Sequence, residues 1–126
     1  MTIPKFVLVD DNKIDLMVNE RLLKNAFGNV SVTTFNNPAD ALAYFNLNKN
    51  EIDELPTVLL LDIIMPGLDG FNVVNELTKI FIEIPFKIFL LSSTLDSADF
   101  TRAGNTKFVV SILGKPLETD LLRQLI

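Results

Sequence analysis

TVLLLDIIMPGLDG, residues 57–70, is the stretch from which the rest of the chain can be read. Thr57 to Leu61 are nearly pure hydrocarbon and run straight into a carboxylate, Asp62, after which a proline and two glycines follow within eight residues. A short continuous apolar run closed by turn formers reads as a buried strand. Burying a lone carboxylate costs several kcal/mol even after relaxation. Asp62 therefore has to meet water, a cation or a chemical task.

Outward from this stretch the same alternation repeats. KFVLV (5–9) is an apolar run that ends on Asp10 and Asp11. Residues 13–27 follow, with Ile14, Met17, Val18, Leu22 and Phe27 at the spacing of one helical face; Asn12 stands at the N-cap and Gly28 at the C-cap. VSVTTF (30–35) reads as a strand, Pro38 opens a helix carrying Ala41, Leu42 and Phe45, and 46–56 is polar and turn-like. Beyond Asp69-Gly70 the spacing of Phe71, Val74, Leu77 and Phe81 predicts a third helix, whose apolar run over 71–84 is read as core packing. KIFLL (87–91) is a strand stopped by Ser92-Ser93-Thr94, and Asp96 to Ala103 a short helix ending near Gly104. KFVVSIL (107–113) is the last strand, followed by Gly114-Lys115-Pro116 and a helix from Leu117.

Strand then helix, five times over, predicts an α/β domain with a parallel sheet. Continuous rather than alternating apolar strands place helices on both faces. In such sheets the ligand site lies beyond the carboxyl ends of the strands. The residues there are Asp10-Asp11, Asp62, Ser92-Ser93-Thr94 and Lys115. Three carboxylates, a hydroxyl and an ammonium would thus converge on one edge. Two carboxylates about 4 Å apart repel by roughly 4 kcal/mol at an effective dielectric near 20, so three demand a cation or raised pKa values. Lys115 supplies one positive charge. Oxygen-only ligands select magnesium, with manganese or calcium as alternatives. A carboxylate beside Mg²⁺ and lysine is a competent nucleophile toward phosphorus.

Composition bounds the function. With 126 residues, 48% of them apolar, the chain has the size and make-up of one globular domain, residues 1–126. Sixteen acidic against 11 basic side chains give a net charge of −5, which argues against nucleic acid or an anionic membrane as partner. No cysteine is present, excluding disulfides and thiolate chemistry and favouring a cytoplasmic address. No histidine is present either, so an imidazole has to come from another molecule. Neither a signal peptide nor a membrane-spanning run is visible. No G-x-G-x-x-G or G-x-x-x-x-G-K-[ST] supports nucleotide binding. The phenylalanines, among them Phe71, Phe81, Phe89 and Phe108, read as core.

VDD (9–11), LLLDIIMPGLDG (59–70), LLSS (90–93) and GKPL (114–117) together resemble the receiver domain of a two-component response regulator, over essentially the whole chain. The resemblance implies a doubly wound, flavodoxin-like (βα)5 fold with strand order 2-1-3-4-5. It implies Asp62 as phospho-acceptor, with Mg²⁺ held by Asp11 directly, by Asp10 largely through water, by Asp62 and by the backbone carbonyl of Ile64. Ser92, or Ser93 after a one-residue shift, would contact the phosphoryl group, and Lys115 would pair with a phosphoryl oxygen. A Lys115-Pro116 cis peptide is common in the family. The donor would be a phosphohistidine on a histidine kinase or phosphotransfer protein. Output would go to a protein target through roughly residues 96–126, with no role for nucleic acid or membrane.

The chain departs from the family pattern in three places. Ile112 stands three residues before the lysine, where an aromatic switch residue is usual. Ile64 stands two after Asp62, where an amide in some receivers places the hydrolytic water; an aliphatic group there implies a longer-lived phosphoryl group, modulated by Thr94. The last helix is short, as in a single-domain regulator or a piece of a longer protein. Ile64 also argues against a phosphohydrolase of the haloacid dehalogenase type, which needs a second acid at that position. The remaining alternative is a receiver-like interaction module that never carries phosphate.

Overall fold

A computed structural model describes residues 3–126. Five strands, β1 (Lys5–Val9), β2 (Ser31–Phe35), β3 (Val58–Asp62), β4 (Lys87–Ser92) and β5 (Val109–Gly114), alternate with five helices, α1 (Lys13–Phe27), α2 (Pro38–Leu47), α3 (Gly70–Ile80), α4 (Ser97–Gly104) and α5 (Thr119–Leu125). A 3₁₀ turn, Ile52–Glu54, interrupts the polar segment before β3. All strand pairs are parallel and the order is β2-β1-β3-β4-β5, the doubly wound arrangement expected from the sequence.

Side chains of the central strands alternate between two cores, as the period of two requires. Val7, Val9, Leu59, Leu61, Ile88, Leu90 and Ile112 face α2, α3 and α4. Phe6, Leu8, Val58, Leu60, Phe89, Leu91 and Leu113 face α1 and α5. All five residues of β3 are buried, so its apolar run has no polar face to show. On the first face, Phe45, Phe81 and Phe86 form an aromatic cluster, with Phe45 and Phe86 stacked at 5.1 Å and Phe81 edge-on to Phe86 at 5.6 Å. Such pairs add about 0.5–1.5 kcal/mol each to the burial itself.

Three sequence expectations need correction. In α1 the buried residues are Leu16, Asn19 and Leu23, whereas Ile14, Met17 and Val18 are exposed. Both sets satisfy i, i+3, i+4 spacing, and the buried one was hidden by the polar Asn19 at its centre. The third helix stops at Ile80 instead of running to residue 84, because Phe81 already has extended backbone angles. Pro85 disfavours helical geometry at Ile84, and the segment buries Phe81, Ile84 and Phe86 while Ile82 points wholly to solvent. At the far end, α5 begins at Thr119 and β5 at Val109, each two residues later than the apolar pattern suggested.

Strands β3, β4 and β5 each run one residue past their apolar stretch, to Asp62, Ser92 and Gly114. Register aligns these ends: Val9 pairs with Leu61, Asp62 with Leu91 and Ser92 with Gly114. The chemistry-bearing residues are therefore held by the sheet ladder and by bonds just beyond it, Ile63 N–H to Leu91 O (3.0 Å) and Lys115 N–H to Ser92 O (3.0 Å).

Candidate functional site

Asp10 follows β1 and is fully buried; its Oδ1 accepts the Asn12 N–H at 2.9 Å. Asn12 is the N-cap of α1, its side chain accepting from the N–H groups of Ile14 and Asp15, so one turn both starts the helix and orients Asp10. Asp62 closes β3 and is 4% exposed. The loop after it is set by Asp69, which caps α3 through a reciprocal pair: Asn72 N–H to Asp69 Oδ1 at 2.7 Å and Asp69 N–H to Asn72 Oδ1 at 3.0 Å. That cap brings Gly70 against the strand end. A Cβ on Gly70 would lie 2.7 Å from the Asp62 carbonyl oxygen and 3.1 Å from Ile63 Cα, so only glycine permits the approach.

Lys115 follows β5, and its peptide bond to Pro116 is cis. Its Nζ lies 3.0 Å from Asp10 Oδ2, 3.0 Å from Asp15 Oδ2 and 3.3 Å from Asp62 Oδ1. Asp11, exposed, completes the acidic group, and carboxylate oxygens of Asp10, Asp11 and Asp62 lie within 4.8 Å of one another. Around them opens a cleft of about 260 Å³ whose rim includes Ile64, Ser92 and Ser93. The Ser92 hydroxyl is turned onto Thr94, donating to its carbonyl oxygen and accepting its N–H at 3.2 Å. Ser93 and Thr94 are exposed, as is Ile64, while Ile112 is buried in the core facing α2, α3 and α4.

The electrostatics follow from this packing. Burial, then the charge of Asp10, pushes the Asp62 carboxyl up to about 6, with Lys115 offsetting part of the rise. At neutral pH Asp62 is therefore largely ionised. Burial works to lower the Lys115 ammonium, but its hydrogen bonds to Asp15 and Asp10 and the charges of Asp62 and Asp10 outweigh it and raise its pKa further. The cleft lining holds one ammonium and four carboxylates, which leaves it strongly negative. An oxygen-only donor set with uncompensated negative charge fits a hard divalent cation.

Residues 6–126 match the family described as the response regulator receiver domain. The chain belongs to that family. Among solved structures, this receiver domain is similar to a response regulator receiver protein from Dyadobacter fermentans, at 31% identity over 96% of this chain and 93% of that one, with a TM-score of 0.85. It is also similar to a two component response regulator from Cytophaga hutchinsonii, at 24% identity over 99% and 95% with a TM-score of 0.90. The receiver domain of the histidine kinase CKI1 from Arabidopsis thaliana, solved in complex with Mg²⁺, shares the fold at 21% identity over 98% and 92%, with a TM-score of 0.81. A search of the curated proteins finds no match.

Of the strand-end residues singled out in the sequence, Asp10, Asp11, Asp62, Ser92, Ser93 and Lys115 line this one cleft; Thr94 is exposed beside it, bonded to Ser92, and Ile112 lies within β5 in the core. Two polar residues of this receiver domain escaped the sequence reading. Asp15, in the first turn of α1, has the look of an acid placed for the helix dipole, yet it binds Lys115. Asn19, 1% exposed, accepts the Leu117 N–H at 2.9 Å and ties α1 to the segment after Lys115. Partners about a hundred residues apart leave no local signal. A larger, mostly apolar cavity of about 880 Å³ opens at the amino-terminal ends of the strands, between Phe27, Ile84, Phe86 and Ile126. Among the described residues no acidic side chain lines it.

Proposed function

We propose that this receiver domain accepts a phosphoryl group on Asp62 from a phosphohistidine of a separate histidine kinase or phosphotransfer protein, and changes its protein contacts in response. The observation that carries the reading is the placement of the Asp62 carboxylate 3.3 Å from the Lys115 ammonium, at the end of a buried strand. One Asp62 oxygen attacks phosphorus, the P–O bond forms as the P–N bond breaks, and the electron pair leaves with the donor imidazole, which takes up a proton. Lys115 stays protonated and stabilises charge on the phosphoryl oxygens. Asp10, Asp11, Asp62 and the Ile64 carbonyl would hold Mg²⁺, with Mn²⁺ as a substitute; the ion would neutralise the phosphoryl charge that the acidic cleft otherwise repels. Ser92 would give up its bond to Thr94 to contact the product, with Ser93 beside it on the rim.

Two surfaces suit the partners. The donor has to cover the cleft rim, and α1 offers Ile14, Met17 and Val18 exposed beside it. On the other side, Leu95, Phe100 and Val110 are exposed apolar residues in or next to the 96–126 region expected to carry output. Among the described residues no helix is long and apolar enough to cross a membrane. The absence of cysteine suits a cytoplasmic setting.

Intact mass after incubation with acetyl phosphate and Mg²⁺ tests the reading. The expected result is a gain of one phosphoryl group that is absent in Asp62→Asn and in EDTA. A folded protein that gains nothing from any donor would make it an interaction module instead.

A further inference from the structure

We propose that Asp15 is a positioning residue for this chemistry: it holds Lys115 in the resting protein and gives way when a phosphoryl group arrives on Asp62. The inference rests on Asp62 as phospho-acceptor and adds a residue to that site.

An ammonium has three N–H donors, and three carboxylates surround the one on Lys115. They are not equivalent. Asp10 and Asp15 accept hydrogen bonds at 3.0 Å, whereas Asp62 is an ion-pair neighbour at 3.3 Å. The resting lysine is thus bound more closely to two other acids than to the one that reacts. The donor not engaged with Asp10 or Asp15 can meet a first phosphoryl oxygen on Asp62, but a second contact to the same group has to draw on one of the two existing bonds. Releasing Asp10 would leave a carboxylate whose side chain is 0% exposed with neither lysine nor solvent, dependent on the metal ion for its counter-charge. The Asp15 side chain is 38% exposed and can exchange lysine for water. Asp15 is therefore the contact that yields.

A purely local role for Asp15 fits the geometry poorly. The N-cap of α1 is already satisfied by the Asn12 side chain, which takes the N–H groups of both Ile14 and Asp15. The Asp15 carboxylate makes its bond across the molecule. An acid serving only the helix dipole needs no partner on the loop after β5.

Asp15→Asn keeps the side-chain volume while removing the charge, and the control Glu20→Gln removes an equal charge from α1 at a residue that, among the described residues, pairs only with Lys24. Two measurements on the full chain then decide. The first is amine labelling of folded protein, read at Lys115 by peptide mass spectrometry. The second is the rate of phosphorylation by acetyl phosphate at saturating Mg²⁺. Weakening a charge-assisted bond to a neutral one predicts that Asp15→Asn raises each by about three- to tenfold, with Glu20→Gln like wild type. Unchanged Lys115 labelling would show that Asp15 does not hold the lysine and would overturn the proposal. Increased labelling with an unchanged or slower phosphorylation rate would overturn the release step. An equal rate increase in both variants would reduce Asp15 to a general charge effect. Wild-type protein that never gains the phosphoryl group would remove the reading beneath the proposal, a result distinct from any difference between the variants.

Discussion

At Asp62, burial and the neighbouring Asp10 oppose ionisation while Lys115 favours it, and the balance leaves the carboxyl near 6. Its folded pKa is above the ordinary 3.8, so the folded state binds this proton more tightly than the unfolded chain. The stability it contributes is complete below pH 3.8 and lost as pH rises through about 6, which makes ionised Asp62 a cost at neutrality. Asp62→Asn removes that cost. In EDTA at pH 7 it should stabilise the fold by about 1–2 kcal/mol, after allowance for water in the cleft, or about 5 °C in Tm. Melting curves from pH 4 to pH 8 should show the gain disappear on the acid side. A Tm advantage independent of pH would assign the effect to packing instead. Ile64, 71% exposed on the cleft rim, offers an attacking water no hydrogen bond. Ile64→Asn should shorten the phosphoryl lifetime by about tenfold, the worth of one hydrogen bond made in the transition state. Loss of the group within seconds from the unsubstituted protein, followed by intact mass, would contradict this role for Ile64. Ile64 stood out only through the resemblance to the family, whereas Asp62 was legible in the sequence because it closes an apolar run, where a charged side chain is unexpected. Asp15 was not, because an acid in a first helical turn already has an ordinary explanation.

At the scale of elements, the site depends on two close junctions. The first is the seating of α3 on β3 through Gly70, where a methyl group would meet the Asp62 carbonyl oxygen at 2.7 Å. Backbone cannot yield as a side-chain tip can, so Gly70→Ala should destabilise by about 1–3 kcal/mol, the usual cost of overpacking. It should also slow phosphorylation by displacing the strand end that carries Asp62. Urea unfolding and the acetyl phosphate rate check both, and a variant with unchanged stability would mean that the loop relaxes freely. The second junction is Asn19 to Leu117, which fixes the chain two residues after Lys115 to α1. Asn19→Leu leaves the Leu117 N–H without its partner in a buried place, an expected loss of about 1–3 kcal/mol in the same unfolding assay. Element types and order could be read from the sequence because all the central strands are continuous apolar runs. Helix faces could not be read so well. In α1 the more hydrophobic stripe, Ile14 with Met17 and Val18, faces solvent, and the core stripe is centred on an asparagine. Hydrophobicity ranked the two faces wrongly because the polar residue is satisfied by a bond that only the folded chain contains.

For the whole molecule, that outward stripe and the net charge of −5 belong to one problem under the proposed function: a donor protein would have to approach an acidic domain closely enough to place its imidazole at a recessed carboxylate. Long-range attraction favours donors with basic rims and makes the encounter salt-dependent. Close contact needs apolar surface near the cleft, and α1 supplies it with Ile14, Met17, Val18 and Leu22, the last three with Arg21 bordering a shallow depression of about 200 Å³. A small-molecule donor needs none of this. Met17, 60% exposed, fills no core position, so Met17→Glu should fold normally while placing a charge in the contact. With a phosphorylated histidine protein as donor, the transfer rate should fall about tenfold or more, the loss typical of an apolar contact residue at the centre of an interface. The loss with acetyl phosphate should be far smaller. Comparing the two donors on the same variant separates docking from chemistry. Equal losses would place Met17 in the chemistry of the cleft, and no loss with the protein donor would move the donor's footprint off α1. The same substitution at Phe100, on the opposite flank, should spare transfer from the protein donor, because that flank is the one proposed for output.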